Sequence, residues 1–435
     1  MPLDYTAFRQ RRERLIHAMG SGVAILAAGS ELARNRDTHF PFRSDSYFHY
    51  LTGFPEPEAV LVLVAGDEPR HLLFCRDKDP DKEIWDGFRY GPAAAAEVYG
   101  FDGAFPLAEL DDRMPEFLAG QADLHYLVGR NGAWDARIMG WLNAVRAKVR
   151  SGVRAPARLV DLADSLDEMR LIKGPEELDL MRRAGEISAA AHVRALRNAR
   201  PGRYEYEMEA ELYYAFRLAG ATAPAYPSIV AGGANACILH YVNNDQVLRD
   251  GDLLLIDAGA EYQGYAGDIT RTFPVGGKFS GPQKAVYEVV LAAQAAALEQ
   301  VRPGRTWNQP HDAAVRVLTR GMVDLGLLKG DVDGLIEQDS YKRFYMHRTG
   351  HWLGLDVHDA GDYKVDEQWR PLQPGMVLTV EPGMYIRPSE DVPGAYWNIG
   401  IRIEDDVNVT PDGCEVLTGA APKSVAAIEE VMNHG

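Results

Sequence analysis

Cysteine is scarce in this chain. Cys75, Cys237 and Cys414 are the only three in 435 residues, and they lie far apart. An odd, sparse set with neither CxxC nor a Cys–His cluster excludes a disulfide framework and a thiolate zinc site, and it fits a reducing, cytoplasmic compartment. Positive charge is also short. Lys and Arg total 46 against 63 Asp and Glu, a net of −17. A nucleic-acid partner is therefore not expected, because phosphates need a basic face. No apolar run reaches the roughly 18 residues of a membrane span, so no membrane association is expected. The opening stretch MPLDYTAFRQRRERL lacks the apolar core of a signal peptide. What remains is ordinary globular composition, 46% hydrophobic and 25% charged, with length enough for two domains.

In the first part of the chain, SGVAILAAG, AVLVLVAG and HLLFC are short apolar runs closed by glycine or charge, which predicts buried strands. Helical stretches such as YTAFRQRRERLIHAM alternate with them, so this part reads as an α/β domain. The pattern changes near Lys173. Gly174-Pro175 opens a helix, with proline in the first turn and Glu176 and Glu177 well placed for its dipole. Apolar residues recur three or four apart at Leu178, Met181, Ala184, Ile187 and Ala191, and Pro201-Gly202 stops the run. These signals set an α/β domain at residues 1–172 and a second domain at 173–435.

The second domain carries an internal repeat. RPGR occurs at Arg200–Arg203 and at Arg302–Arg305, each time between two helical runs. LRDGDLLLIDAG (Leu248–Gly259) aligns with LQPGMVLTVEPG (Leu372–Gly383), so Asp257 falls on Glu381. Burying an unpaired carboxylate costs several kcal/mol, so an acid closing an apolar strand implies a partner. Each half offers a second acid. Asp257 and Asp268 lie symmetrically about Tyr262-Gln263, and a tight hairpin there would set them opposite each other within a residue. In GIRIEDDV, alternation puts Arg402 and Glu404 on one face and Ile401 and Ile403 on the other. Two facing hairpins would converge Asp257, Asp268, Glu381 and Glu404.

Four carboxylates cannot share a buried space unaided, because like charges at contact distance repel and some take up protons. Two divalent cations would neutralise them, and oxygen donors with one imidazole suit Mn²⁺, Co²⁺, Fe²⁺ or Zn²⁺. HRTGHWLGLDVH supplies His347, His351 and His358. The spacing of His347 and His351 permits a helix face, but Gly350, Gly354 and Trp352 disfavour a regular exposed helix. Taken alone, His240 in CILHYVNND reads as a structural histidine. Arg402 reads as an ion-pair partner that orients an acid, Tyr385 as core, and Trp85 in EIWDGFRYG as a half-buried aromatic.

HYVNND, IDAGAEYQGYAGDITRTFPVGGKF, MHRTGHWLGLDVHD, PGMVLTVEPGMYI and IGIRIEDDV closely resemble the motifs of the bacterial Xaa-Pro aminopeptidase (aminopeptidase P) family. FPFRSDSYFHYLTGFPEPEAVLVL resembles that family's first domain, so the likeness spans nearly the whole chain. The resemblance implies a creatinase-like α/β N-terminal domain, serving oligomerisation and substrate access, ahead of an α+β pita-bread catalytic domain with a pseudo-twofold duplication. It implies a dinuclear site, usually manganese, held by Asp257, Asp268, His351, Glu381 and Glu404. It places His240, His347 and His358 at the substrate and the reacting centre, and it carries Tyr385 and Trp85 as substrate-binding candidates. Trp85 resembles a tryptophan that reaches a neighbouring subunit's active site in tetrameric members, which implies a homo-oligomer, dimer or tetramer.

The implied activity is hydrolysis of the bond between an N-terminal residue and a following proline. The ions would activate a water and polarise the scissile carbonyl, with Glu381 as proton shuttle and Arg402 beside the acids. A prolyl amide has no N–H, so a pocket that demands none would admit it. The competing expectations are an Xaa-Pro dipeptidase and, from another class, a non-catalytic pita-bread domain that binds peptides or proteins.

Overall fold

The computed structural model describes residues 5–433, and the chain divides between Met169 and Arg170 into two compact units. The division falls a few residues before the boundary placed at Lys173. In the first unit, helix Tyr5–Met19 precedes a six-stranded sheet. Its spatial order is Gly103–Pro106, Arg70–Cys75, Val60–Ala65, Gly22–Ala27, Asp123–Tyr126 and Arg158–Asp161. The three runs legible as strands form its centre, where Val60–Ala65 is antiparallel to both neighbours, and the outer pairings are parallel. Helices Leu110–Leu118 and Gly132–Ala147 pack Met114, Leu118, Trp141 and Val145 onto this sheet. The central strands are buried along their length, which is why their sequences are apolar throughout and do not alternate.

In the second unit a motif of two helices and a β-hairpin occurs twice. Helices Pro175–Asn198 and Glu205–Leu218 are joined at the first RPGR, and Gly281–Leu298 and Gln309–Asp324 at the second. The first hairpin pairs Leu253–Asp257 with Thr270–Pro274 and runs on into Ala260–Tyr262 and Tyr265–Ala266. The second pairs Val377–Val380 with Asp405–Thr410 and runs on into Gly383–Ile386 and Ile399–Arg402. One core serves both copies. Leu254, Ile256 and Phe273 of the first hairpin and Leu378, Val380, Ile401 and Ile403 of the second are all buried in it. The acids that follow these strands are thereby carried to one place.

The first hairpin corrects the expected register. Tyr262 faces Tyr265 and Asp257 faces Thr270, so the turn is Gln263-Gly264, one residue beyond the expected centre. A two-residue hairpin turn of this kind needs positive φ at both central positions, and Gln263 (51°) and Gly264 (87°) provide it. Ala258 N–H donates to Ile269 O and Gly267 N–H to Ala260 O, which sets Asp268 opposite Gly259. Asp268 is therefore diagonal to Asp257, yet on the same face, because the offset is two residues and the side-chain period is two. The strands pass closely here: a Cβ on Gly259 would sit 1.6 Å from Gly267 O. In the second hairpin Val380 faces Asp405 and Gly383 faces Arg402, and this unbroken register sets Glu381 opposite Glu404.

Candidate metal centre

Between the hairpins lies a cavity of about 1200 Å³. Asp257, Asp268, His351, Glu381 and Glu404 line it, as do His240, His347, His358 and Arg402. Asp268, His351 and Glu404 each offer a ligand atom, and the three atoms lie within 4.8 Å of one another. The segment carrying His347 and His351 is not helical. His351 Nδ1 lies 2.9 Å from Trp352 O, and a carbonyl can only accept, so Nδ1 carries the hydrogen and Nε2 is presented to the cavity. Nε2 lies 3.3 Å from Asp268 Oδ2 and 3.7 Å from Glu381 Oε1.

Backbone contacts fix the acids in turn. Glu381 N–H donates to Thr349 O (2.8 Å) and Asp268 N–H to Asp406 Oδ2 (3.0 Å). The hairpins also join directly, since Thr270 Oγ1 donates to Glu404 Oε2 (2.6 Å) while Glu404 N–H donates to Thr270 O (3.1 Å).

The charges of the side chains at this centre do not balance by themselves. Burial, then the nearby Asp268, Glu381 and Asp257, hold Glu404 well above the usual carboxylate range. Burial also pushes Glu381 up to about 7, against the pull of His351 and Arg402. Asp257 is raised, again chiefly by burial. Asp268 is lowered, because His351 outweighs its burial. Burial alone would lower His351, but Asp268 and Glu381 override it and raise it to about 9. The centre thus holds protons because acids are crowded without enough positive charge, and a cation would take the place of those protons. Carboxylate oxygens with one imidazole nitrogen make a donor set that fits a hard or borderline divalent ion.

Arg402 is a permanent cation embedded among the acids. Its guanidinium donates to Asp257 Oδ2 (2.6 Å), Thr270 Oγ1 (3.0 Å) and Tyr385 Oη (3.0 Å). Tyr385, expected at the substrate, is buried one layer behind the cavity wall, where its Oη also meets His347 Nε2 at 2.9 Å. His347 Nδ1 lies 3.8 Å from Glu381 Oε2. His358 stands with its ring 4.3 Å from that of His351, and His240 is exposed on the cavity wall. Trp85 lies on helix Pro80–Asp86 of the first unit and is 87% exposed, so it is not half-buried.

Sequence reasoning missed Tyr226. Its Oη lies 2.6 Å from Oδ1 of both Asp257 and Asp268, and its single hydrogen can serve only one of them at a time. Burial and those two acids hold its phenol well above the ordinary value. Nothing in the surrounding APAYPSIV marks it, because the contact spans more than thirty residues of chain.

A duplicated unit with buried carboxylates and an imidazole around a cavity of peptide size defines a metal-dependent hydrolase. The profile of metallopeptidase family M24 matches residues 179–411, and that of the aminopeptidase P N-terminal domain matches residues 8–126. An Xaa-Pro aminopeptidase of Haemophilus influenzae is 47% identical over 98% of this chain and 97% of its own. One from Escherichia coli is 46% identical with the same coverage. The solved structure of the Pseudomonas aeruginosa aminopeptidase PepP superposes with a TM-score of 0.98 at 52% identity, covering 99% of this chain and 98% of that one. The chain belongs to metallopeptidase family M24, with an aminopeptidase P N-terminal domain ahead of a pita-bread catalytic domain. It is a metallo-exopeptidase that acts on peptides.

Proposed function

We propose that the chain is a dinuclear-metal aminopeptidase that hydrolyses the bond between an N-terminal residue and a following proline. The observation that carries this reading is the convergence of Asp268, His351 and Glu404 donor atoms within 4.8 Å, with Asp257 and Glu381 in the same cavity wall. The relatives named Xaa-Pro aminopeptidase supply the substrate class. Asp257, Asp268, His351, Glu381 and Glu404 would hold two divalent ions, manganese first, with cobalt, zinc or iron as alternatives. When bound, such ions supply Lewis acidity and bring the pKa of water close to neutrality.

The chain's own residues do the remaining work. Glu381 takes a proton from the attacking water and passes it to the prolyl nitrogen as the C–N bond breaks. His240 and His358 face the cavity and donate to the carbonyl oxygen as charge develops on it. His347 is held by Tyr385 beside Glu381, and Arg402 orients Asp257. Exposed Trp85 meets substrate from a neighbouring copy in a homo-oligomer, a dimer or tetramer. The test is incubation of an Xaa-Pro-Yaa peptide with the purified protein. Release of the free N-terminal amino acid, lost on chelation and restored by Mn²⁺, is expected. Release of an Xaa-Pro dipeptide, or no release from the loaded protein, would refute the reading.

A further inference from the structure

The catalytic cavity has a basic mouth that the proposed chemistry does not use. Strands Lys364–Val365 and Gln368–Trp369 form a small hairpin in which Lys364 directly faces Trp369. Its turn residues Asp366 and Glu367 both take positive φ, 47° and 63°. The base of this hairpin is pinned. Arg370 N–H donates to Tyr363 O (3.0 Å), its Nε to Asp362 O (2.7 Å), and Arg370 O accepts from Trp307 N–H (2.9 Å). Trp369 in turn carries two cations over its ring, with Lys364 Nζ 4.6 Å and the Arg348 guanidinium 5.3 Å from the centroid. A ring face attracts cations and restricts these long side chains.

Neither cation is spent on an acid. Arg348 donates to the neutral side chain of Asn308, and no carboxylate among the described residues pairs with Arg348 or Lys364. Asp362 lines the same wall and pairs with neither. Both cations are exposed, and both line the cavity. Arg348 directly follows His347, whose ring stands 3.8 Å from Glu381, so the basic mouth and the acidic depth are joined by one short segment. On a chain of net charge −17 this gives the cavity a polarity, acidic at depth and basic at the rim.

A free peptide has the complementary polarity. With its amine at the acids, an extended chain advances about 3.4 Å per residue, so the terminal carboxylate of a tripeptide or tetrapeptide lies roughly 7–10 Å beyond the scissile bond. We propose that Arg348 and Lys364, braced on Trp369, bind the C-terminal carboxylate of short peptides and bias the enzyme toward tri- and tetrapeptides with a free carboxyl end. This inference rests on the aminopeptidase reading above.

The test compares an Xaa-Pro-Yaa tripeptide as free acid and as C-terminal amide, and an octapeptide with the same first three residues in both forms. In the unaltered enzyme, kcat/KM for the tripeptide acid exceeds that for its amide by about tenfold, as expected for charge-assisted contacts at an exposed site. That preference narrows at high salt and is absent for the octapeptide. In the Arg348→Ala, Lys364→Ala double variant the tripeptide ratio falls to within about twofold of one. Arg348→Lys keeps most of it. Each ratio is measured on a single preparation, so losses of folding or metal cancel. A ratio near one in the unaltered enzyme, or the same ratio in the double variant, overturns the inference and leaves the aminopeptidase reading standing. Failure to cleave any of the peptides overturns both.

Discussion

Replacing Arg402 by methionine exposes the charge that Asp257 carries into the core. The pair is made at 2.6 Å between side chains only 5% and 13% exposed, and the same guanidinium serves Thr270 and Tyr385. Methionine keeps much of the packing and removes every donor. Breaking a buried pair costs about 3–5 kcal/mol. The charge part has a ceiling, because an abandoned aspartate can take a proton. Between the ordinary aspartate value and neutral pH that protonation costs about 4 kcal/mol, at about 1.4 kcal/mol per pH unit. With Arg402 gone, burial and Asp268 hold the folded-state pKa of Asp257 above its unfolded value in the metal-free protein. The folded chain then keeps a proton that the unfolded chain releases. Asp257 is already raised in the unaltered fold, so the two proteins part only above its pKa there, and the penalty then grows with pH until the higher folded pKa of the variant is passed. Equilibrium denaturation of chelator-treated Arg402→Met and unaltered protein at about pH 5, 6 and 7 reads it directly, and the stability difference should widen by up to about 1.4 kcal/mol per unit. A difference that stays constant with pH, or is under about 1 kcal/mol at pH 7, would refute Arg402 as the counter-ion of Asp257.

Tyr226→Phe removes the hydroxyl shared by Asp257 and Asp268 and should weaken metal binding about 10- to 100-fold in a metal titration, with the fold intact. Gly259→Ala forces a Cβ into Gly267 O, so the first hairpin cannot close and folded protein should not be recovered. A variant with unchanged melting temperature would contradict the crossing described. His192 is fully buried, donates from Nε2 to Ala258 O (3.0 Å), and is pulled down by burial to about 4. It stays neutral in the fold while the unfolded chain protonates, so stability is lost as pH falls from about 6.5 toward 4, by about 3 kcal/mol at the acid end. His192→Gln should flatten that part of the stability–pH curve, and an unchanged slope would show that the loss comes from other groups.

Much of this architecture is legible from local pattern. Helix Tyr5–Met19, the long helix after Gly174 and the central strands of the first unit follow from periodicity and from Gly-Pro punctuation, because each is decided by residues within one element. The acids Asp257 and Glu381 are legible because each closes a buried apolar strand and the repeat aligns them. Symmetry between the two acids puts the turn centre one residue early, because the two-residue turn takes its glycine at the second central position. The offset left the face unchanged, so Asp257 and Asp268 still converge. Tyr226, the Thr270–Glu404 link and the Arg348–Trp369–Lys364 rim are contacts between segments distant in the chain, and no local signal announces them. His240 is legible only through family likeness, because a lone exposed histidine has no pattern of its own, whereas His358 is marked by its place in the histidine cluster.

The most direct measurement is turnover of an Xaa-Pro-Yaa peptide as metal is returned stepwise to chelator-treated protein, with bound metal counted by mass spectrometry on the same samples. Loss of the N-terminal residue should rise to its maximum as occupancy reaches two ions per chain, and Asp268→Ala and Glu404→Ala should neither hold that complement nor turn over. Full turnover at zero occupancy, or a Glu404→Ala protein that binds two ions and cleaves normally, would contradict it.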